Sequence, residues 1–252
     1  MTFGCDKIYQ QGKRAVFFAV LPSQRIILYV RRASATHRVA DGKENIMKVL
    51  ILNGSPHREG TTFAALSEVK KVLESEGVDT EIVSIGTLAV RGCTACLSCR
   101  KLGSCVIDDE VNKVAEKFKE ADGLIIGSPV YYAAPNGTLL SFLDRLFYSA
   151  SFDKTMKVGA AVVCARRGGT TASFDVLNKY FAISGMPIAT SSYWNQVHGA
   201  NAEDAALDAE GMLCMRNLGR NMAFLMKSIA LGREKYGLPE KEPGVRTNFI
   251  KR

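Results

Sequence analysis

Four cysteines fall within thirteen residues, Cys93, Cys96, Cys99 and Cys105, spaced C-x2-C-x2-C-x5-C. Gly92 just before the run and Gly103 within it let the backbone curl around a compact object. Thiols so close in sequence make poor independent disulfides, and the chain's total of seven cysteines is odd. Four sulfur ligands in one unbroken run suit a 4Fe-4S cube, whereas structural zinc more often draws on two separated C-x2-C knuckles. Free or redox-active thiols are the third use open to such a run. Cys164, inside an apolar strand, and Cys5 and Cys214, with no neighbours of their kind, read as inert.

Three further segments could hold a flat, phosphorylated ligand. NGSPHREGTT, residues 53–62, lies between an apolar strand and a helix, where backbone N–H groups and the helix dipole favour an anion. Ser55, Thr61 and Thr62 add hydroxyls, Arg58 adds charge, and Gly54 and Gly60 permit close approach. Its spacing is neither G-x-x-x-x-G-K-[ST] nor G-x-G-x-x-G, which argues against a triphosphatase or a dinucleotide site. The alternative is an ordinary capped turn.

SPVYYAAPNG, residues 128–137, is stiffened by Pro129 and Pro135. Val130, Tyr131 and Tyr132 offer an apolar surface on which a planar ring could stack, or they pack the core. ARRGGTT, residues 165–171, presents Arg166, Gly168 and Gly169 to the same region, although its arginine pair could also be solvated surface. His198 and Trp194 receive no role.

Alternating strands and helices must position these loops. KVLILNGS from Met47, DTEIVSIG, ADGLIIGS and KVGAAVVCA read as four strands, with a weaker fifth at Pro187 to Ser192. Helices are expected over Thr61 to Glu76, from a cap at Asp108 or Asp109 to about Glu120, over Gly137 to Tyr148 and over Thr170 to Ile183. A long helix from Glu203 to Leu231 should break or kink near Gly211 or Gly219. The pattern is that of an α/β protein with a parallel sheet.

Residues 1–46 carry eight Lys or Arg against three Asp or Glu, so only +3 of the net +8 remains for the body. No basic stripe with interleaved aromatics is visible, and nucleic-acid binding is set aside. VFFAVLP and IILYV within Ala15 to Val30 are interrupted by Arg25 and Pro22, which is not a clean signal peptide. The arm is read as poorly ordered or preceding the true start at Met47, with a degenerate targeting segment or an extra hairpin as alternatives. The folded domain is expected over 47–232 and a tail over 233–252. No apolar run reaches the length of a membrane span, and a reducing cytoplasm is the default.

The phosphate loop, the Pro129 to Tyr132 string and the Arg166 to Gly169 turn resemble the flavodoxin-like, NADPH-dependent FMN reductase family. The cysteine run resembles the compact motif of its iron–sulfur flavoprotein branch. That resemblance implies a doubly wound, five-stranded parallel sheet of order 2-1-3-4-5 with helices on both faces. It implies FMN, with its 5′-phosphate in the first loop and its ring against the other two, and a 4Fe-4S cluster on the four cysteines. The expected activity carries electrons from NAD(P)H, or from a carrier such as ferredoxin, to a small acceptor such as a quinone or flavin. No side chain need act as acid or base. A homodimer or homotetramer follows from the family. The competing functions are a flavodoxin-like carrier without its own substrate and a zinc-stapled interaction module that has lost the flavin.

Overall fold

Buried apolar runs and well-placed caps set the element order in the computed structural model, which describes residues 36–38, 44–245 and 247. Two short strands, β1 (Thr36–Arg38) and β2 (Glu44–Ile46), pair antiparallel. The rest of the arm expected over 1–46 lies outside the described residues. In β3 (Lys48–Asn53) every residue after the first is buried, as in a parallel strand covered on both sides. α1 (Thr61–Ser75) and β4 (Asp79–Ser84) follow. The cysteine segment then contributes one turn, α2 (Cys99–Leu102), before α3 (Glu110–Glu120). Asp109 caps α3 by accepting the Val111 N–H at 3.1 Å.

β5 (Gly123–Tyr131) turns back as the two-residue β6 (Ala134–Pro135) and leads into α4 (Gly137–Ser149). β7 (Val158–Ala165), α5 (Thr170–Ile183), β8 (Gln196–His198), α6 (Ala202–Leu207) and α7 (Ala209–Tyr236) complete the elements. The main strands run β4-β3-β5-β7-β8, all parallel, with β6 antiparallel on β5. Counted along the chain this is the expected order 2-1-3-4-5. Alternate strand residues feed two cores. Val49, Ile51, Ile125 and Val162 pack with α1 and α7, while Leu50, Leu52, Leu124, Ile126 and Val163 pack with α3, α4 and α5.

The fifth strand is not where the sequence suggests. Only Ile188 of the expected 187–192 stretch bridges the sheet, opposite Gly159, and the regular pairing comes later, at β8. The hydroxyls between explain the detour. Ser191 Oγ donates to the Tyr193 carbonyl at 2.6 Å and accepts the Tyr193 N–H at 3.3 Å, a local turn that competes with the ladder. Asn195 then rejoins the sheet, its Nδ2 donating to the Ala161 carbonyl at 3.0 Å.

The long helix is divided at Asp208, near Gly211 as expected, and runs unbroken through Gly219. Asp208 Oδ1 accepts the Gly211 N–H at 2.9 Å and Oδ2 accepts the His198 N–H at 2.7 Å, so one carboxylate caps α7 and ties it to β8. Gly219 instead lets two helices touch, since a Cβ there would lie 2.8 Å from Val72 Cβ of α1. α7 runs on to Tyr236, beyond which Lys241 pairs with Asp153 at 2.7 Å. Among the described residues no helix is long and apolar enough to cross a membrane.

Candidate functional site

The loops after β3, β5 and β7 meet at the carboxyl ends of the strands around a cleft of about 650 Å³. Ser55, Arg58, Gly60, Thr61, Thr62, Pro129, Val130, Tyr131 and Arg166 all line it. In the first loop the Ser55 N–H donates to Asn53 Oδ1 at 3.0 Å, and Ser55 Oγ accepts the His57 N–H at 3.1 Å. α1 begins there with no side-chain cap, so its first backbone N–H groups face the cleft as donors for an anion. Thr62 is buried and lines the cleft together with Cys164. Burial pushes the Cys164 thiol up to about 12, so at neutral pH it is an uncharged wall, as its place in an apolar strand suggested.

In the second loop a two-residue reversal carries the chain from β5 to β6. Tyr132 and Ala133 both adopt left-handed backbone, with φ of 51° and 58°, as such a reversal requires. Tyr131 therefore faces the cleft while Tyr132 is fully exposed and does not line it. Gly168 and Gly169 do not line it either. Gly169, at φ 92°, is a spacer, because a Cβ there would lie 2.8 Å from Ala133 Cα and 2.9 Å from Val130 Cγ1. The third loop thus packs behind the second and buttresses it.

A fourth wall escaped the sequence reading. Gly199, Ala200, Asn201, Ala202 and Glu203 close the cleft between β8 and α6. Thr61 Oγ1 lies 3.2 Å from the Gly199 carbonyl and 3.0 Å from the Asn201 carbonyl, and ties this wall to the first loop. Asn201 caps α6 by accepting the Asp204 N–H at 2.8 Å. The signal for it is a Gly and an Asn just before a helix, which a fifth strand at Pro187 to Ser192 would leave well past the strand's end, whereas β8 ends at His198.

Cys93, Cys96, Cys99 and Cys105 line a second, small pocket beside α4, together with Leu97, Ile107, Arg145 and Tyr148. Left-handed backbone at Ala95, Leu97 and Gly103 curls the chain around it. Cys105 is pinned by Asn112, whose Oδ1 accepts the Cys105 N–H at 3.0 Å and whose Nδ2 donates to the Cys105 carbonyl at 2.9 Å. The Ser98 N–H, then the Ser98 hydroxyl, hold the Cys96 thiol below its usual range. Burial works to raise the Asp109 carboxyl, but hydrogen bonds from Arg145 and the Val111 N–H outweigh it and hold the group ionised. Among the described residues no three His, Cys, Asp or Glu side chains are gathered as ligands of one metal ion. A four-iron cube makes a different demand, one thiolate at each of four corners, and four thiols around one pocket match that donor set.

Fold and cleft together define a flavodoxin-like α/β protein with a cleft at the carboxyl ends of the strands, where such sheets bind ligands. The family model of NADPH-dependent FMN reductases matches residues 47–201. An iron–sulfur flavoprotein of Methanocaldococcus jannaschii is 33% identical over 191 residues, covering 73% of this chain and 99% of its own. One from Methanosarcina thermophila is 28% identical over 194 residues, 75% of this chain and 100% of its own. The structure of RosB with bound 8-demethyl-8-formylriboflavin-5′-phosphate matches in fold, with a TM-score of 0.56 at 17% identity, over 81% of this chain and 92% of that one. The chain belongs to the NADPH-dependent FMN reductase family, in its iron–sulfur flavoprotein branch. In class it is an FMN-dependent oxidoreductase.

Proposed function

We propose that the protein binds FMN in the four-walled cleft and carries electrons from NAD(P)H, or from a one-electron carrier such as ferredoxin, to a small acceptor such as a quinone or free flavin. The observation that carries this reading is the convergence of separate loops, distant in sequence, on one cleft with an uncapped helix end on one side and Tyr131 on another. Ser55, Arg58, Gly60 and the N–H groups of Thr61 and Thr62 hold the phosphate. Pro129, Val130 and Tyr131 bear on the ring, with Gly168 and Gly169 shaping the turn behind them. Arg166 supplies positive charge beside the ring, which favours its anionic reduced form. Bound FMN supplies the redox chemistry, and the chain's share is to position it, exclude water and leave room for donor and acceptor.

Cys93, Cys96, Cys99 and Cys105 would hold a 4Fe-4S cluster, which supplies one-electron chemistry. The test is purification without oxygen, followed by quantification of FMN, iron and sulfide and by assay with NAD(P)H and a quinone. One FMN and four irons per chain, with steady turnover, is the expected result. Colourless protein overturns the flavin reading; flavin without iron after reconstitution overturns the cluster alone. Flavin that turns over only slowly points to a carrier.

A further inference from the structure

Arg145 is 1% exposed, and a buried guanidinium is stable only if its donors are used. All five are. Both Asp109 oxygens accept from it, Oδ2 from Nη1 at 2.6 Å and Oδ1 from Nη2 at 2.8 Å. The Arg91 carbonyl accepts from Nη1 at 3.3 Å and the Ile107 carbonyl from Nη2 at 3.0 Å. The fifth donor, Nε–H, points at Cys105 Sγ, 3.3 Å away. An arginine kept only to brace the loop would have no need to spend a donor on sulfur, a weak acceptor. The fork leaves no rotational freedom, so the direction of Nε–H is fixed by the four bonds at the other end.

We propose that Arg145 is a positioning residue for the cysteine site: it holds Cys105 as a ligand and, by an N–H···S bond from a cation, favours the reduced cluster. This rests on the cluster reading above. Hydrogen bonds to the sulfurs and nearby charge are among the features that set such potentials. A one-electron reduction adds a negative charge to the cluster, and the cationic donor facing Cys105 stabilises that added charge. The site then accepts electrons more readily from a given donor than it would with the sulfur bare.

Arg145→Lys and Asp109→Asn separate this from a structural brace. Lysine keeps the charge but loses the fork and its directed Nε–H. Asparagine keeps an oxygen acceptor for Arg145 and remains a good helix cap, so the bond to sulfur survives. Both variants are reconstituted with iron and sulfide, and the cluster is titrated with dithionite by visible absorbance. In Arg145→Lys the ratio of oxidised to reduced cluster at fixed poise should rise about tenfold, a midpoint lower by about 59 mV for a one-electron couple. Asp109→Asn, which removes a negative charge, should not move the midpoint down. Loss of iron from Arg145→Lys alone, with FMN retained, also supports the assignment. Equal midpoints in wild type and Arg145→Lys overturn it. So does a parallel fall, or a parallel loss of iron, in both variants, and so does an Arg145→Lys chain that no longer folds. Wild-type protein that takes up no iron is a separate result, which removes the cluster reading itself.

Discussion

Gly168 and Gly169 stand side by side in the sequence with one expected role, and the structure gives them different ones. A methyl group on Gly168 meets open space, whereas on Gly169 it strikes Ala133 and Val130 and demands left-handed backbone as well. Gly169→Ala should push the two ring-side loops apart and weaken FMN binding roughly tenfold, about 1.4 kcal/mol. Gly168→Ala should leave it nearly unchanged. Flavin fluorescence titration of the two variants checks both, and equal affinities would remove Gly169 from its spacer role. At this scale the sequence was informative about which loops matter and less about which atoms face inward. The adjacent tyrosines could not be told apart until the reversal at Tyr132 and Ala133 turned one of them outward. The buried Thr62 of α1 and Cys164 of β7 line the same cleft, a proximity to which no local spacing points.

Elements were legible where apolar period and cap agreed. α5 spans Thr170–Ile183 as read, and Asp109 caps α3. The fifth strand and the helix break share a cause, in that side chains settled what residue propensity left open. Glycine inside a helix suggests a break, but Gly219 serves close packing of α7 on α1, and the break falls where a carboxylate can satisfy N–H groups of two elements. Asp208→Ala should therefore cost about 1–2 kcal/mol, seen as a lower melting temperature. A substitution that leaves the melt unchanged would show that the Asp208 bonds contribute nothing net.

For the molecule as a whole, the parallel order could be anticipated because β–α alternation admits few other arrangements. The arm could not, because no period runs through it. Among the described residues β1 and β2 pair with each other in their own two-stranded sheet and share no ladder with the main one. Removing residues 2–46 should leave FMN content and melting temperature nearly unchanged, as calorimetry of the truncated protein would report; a large loss would show that the arm supports the body.

The four walls of the cleft are drawn from residues 55 to 203, and the Thr61 hydroxyl joins the first wall to the last. A ligand seated there is a clasp on most of the sheet, and opening any one wall releases it. By mass action, free FMN at a hundred times its dissociation constant would stabilise the native state by about 2.7 kcal/mol. With FMN as that ligand, the share of chains open to heat and proteases would fall as the supply of flavin around them rises.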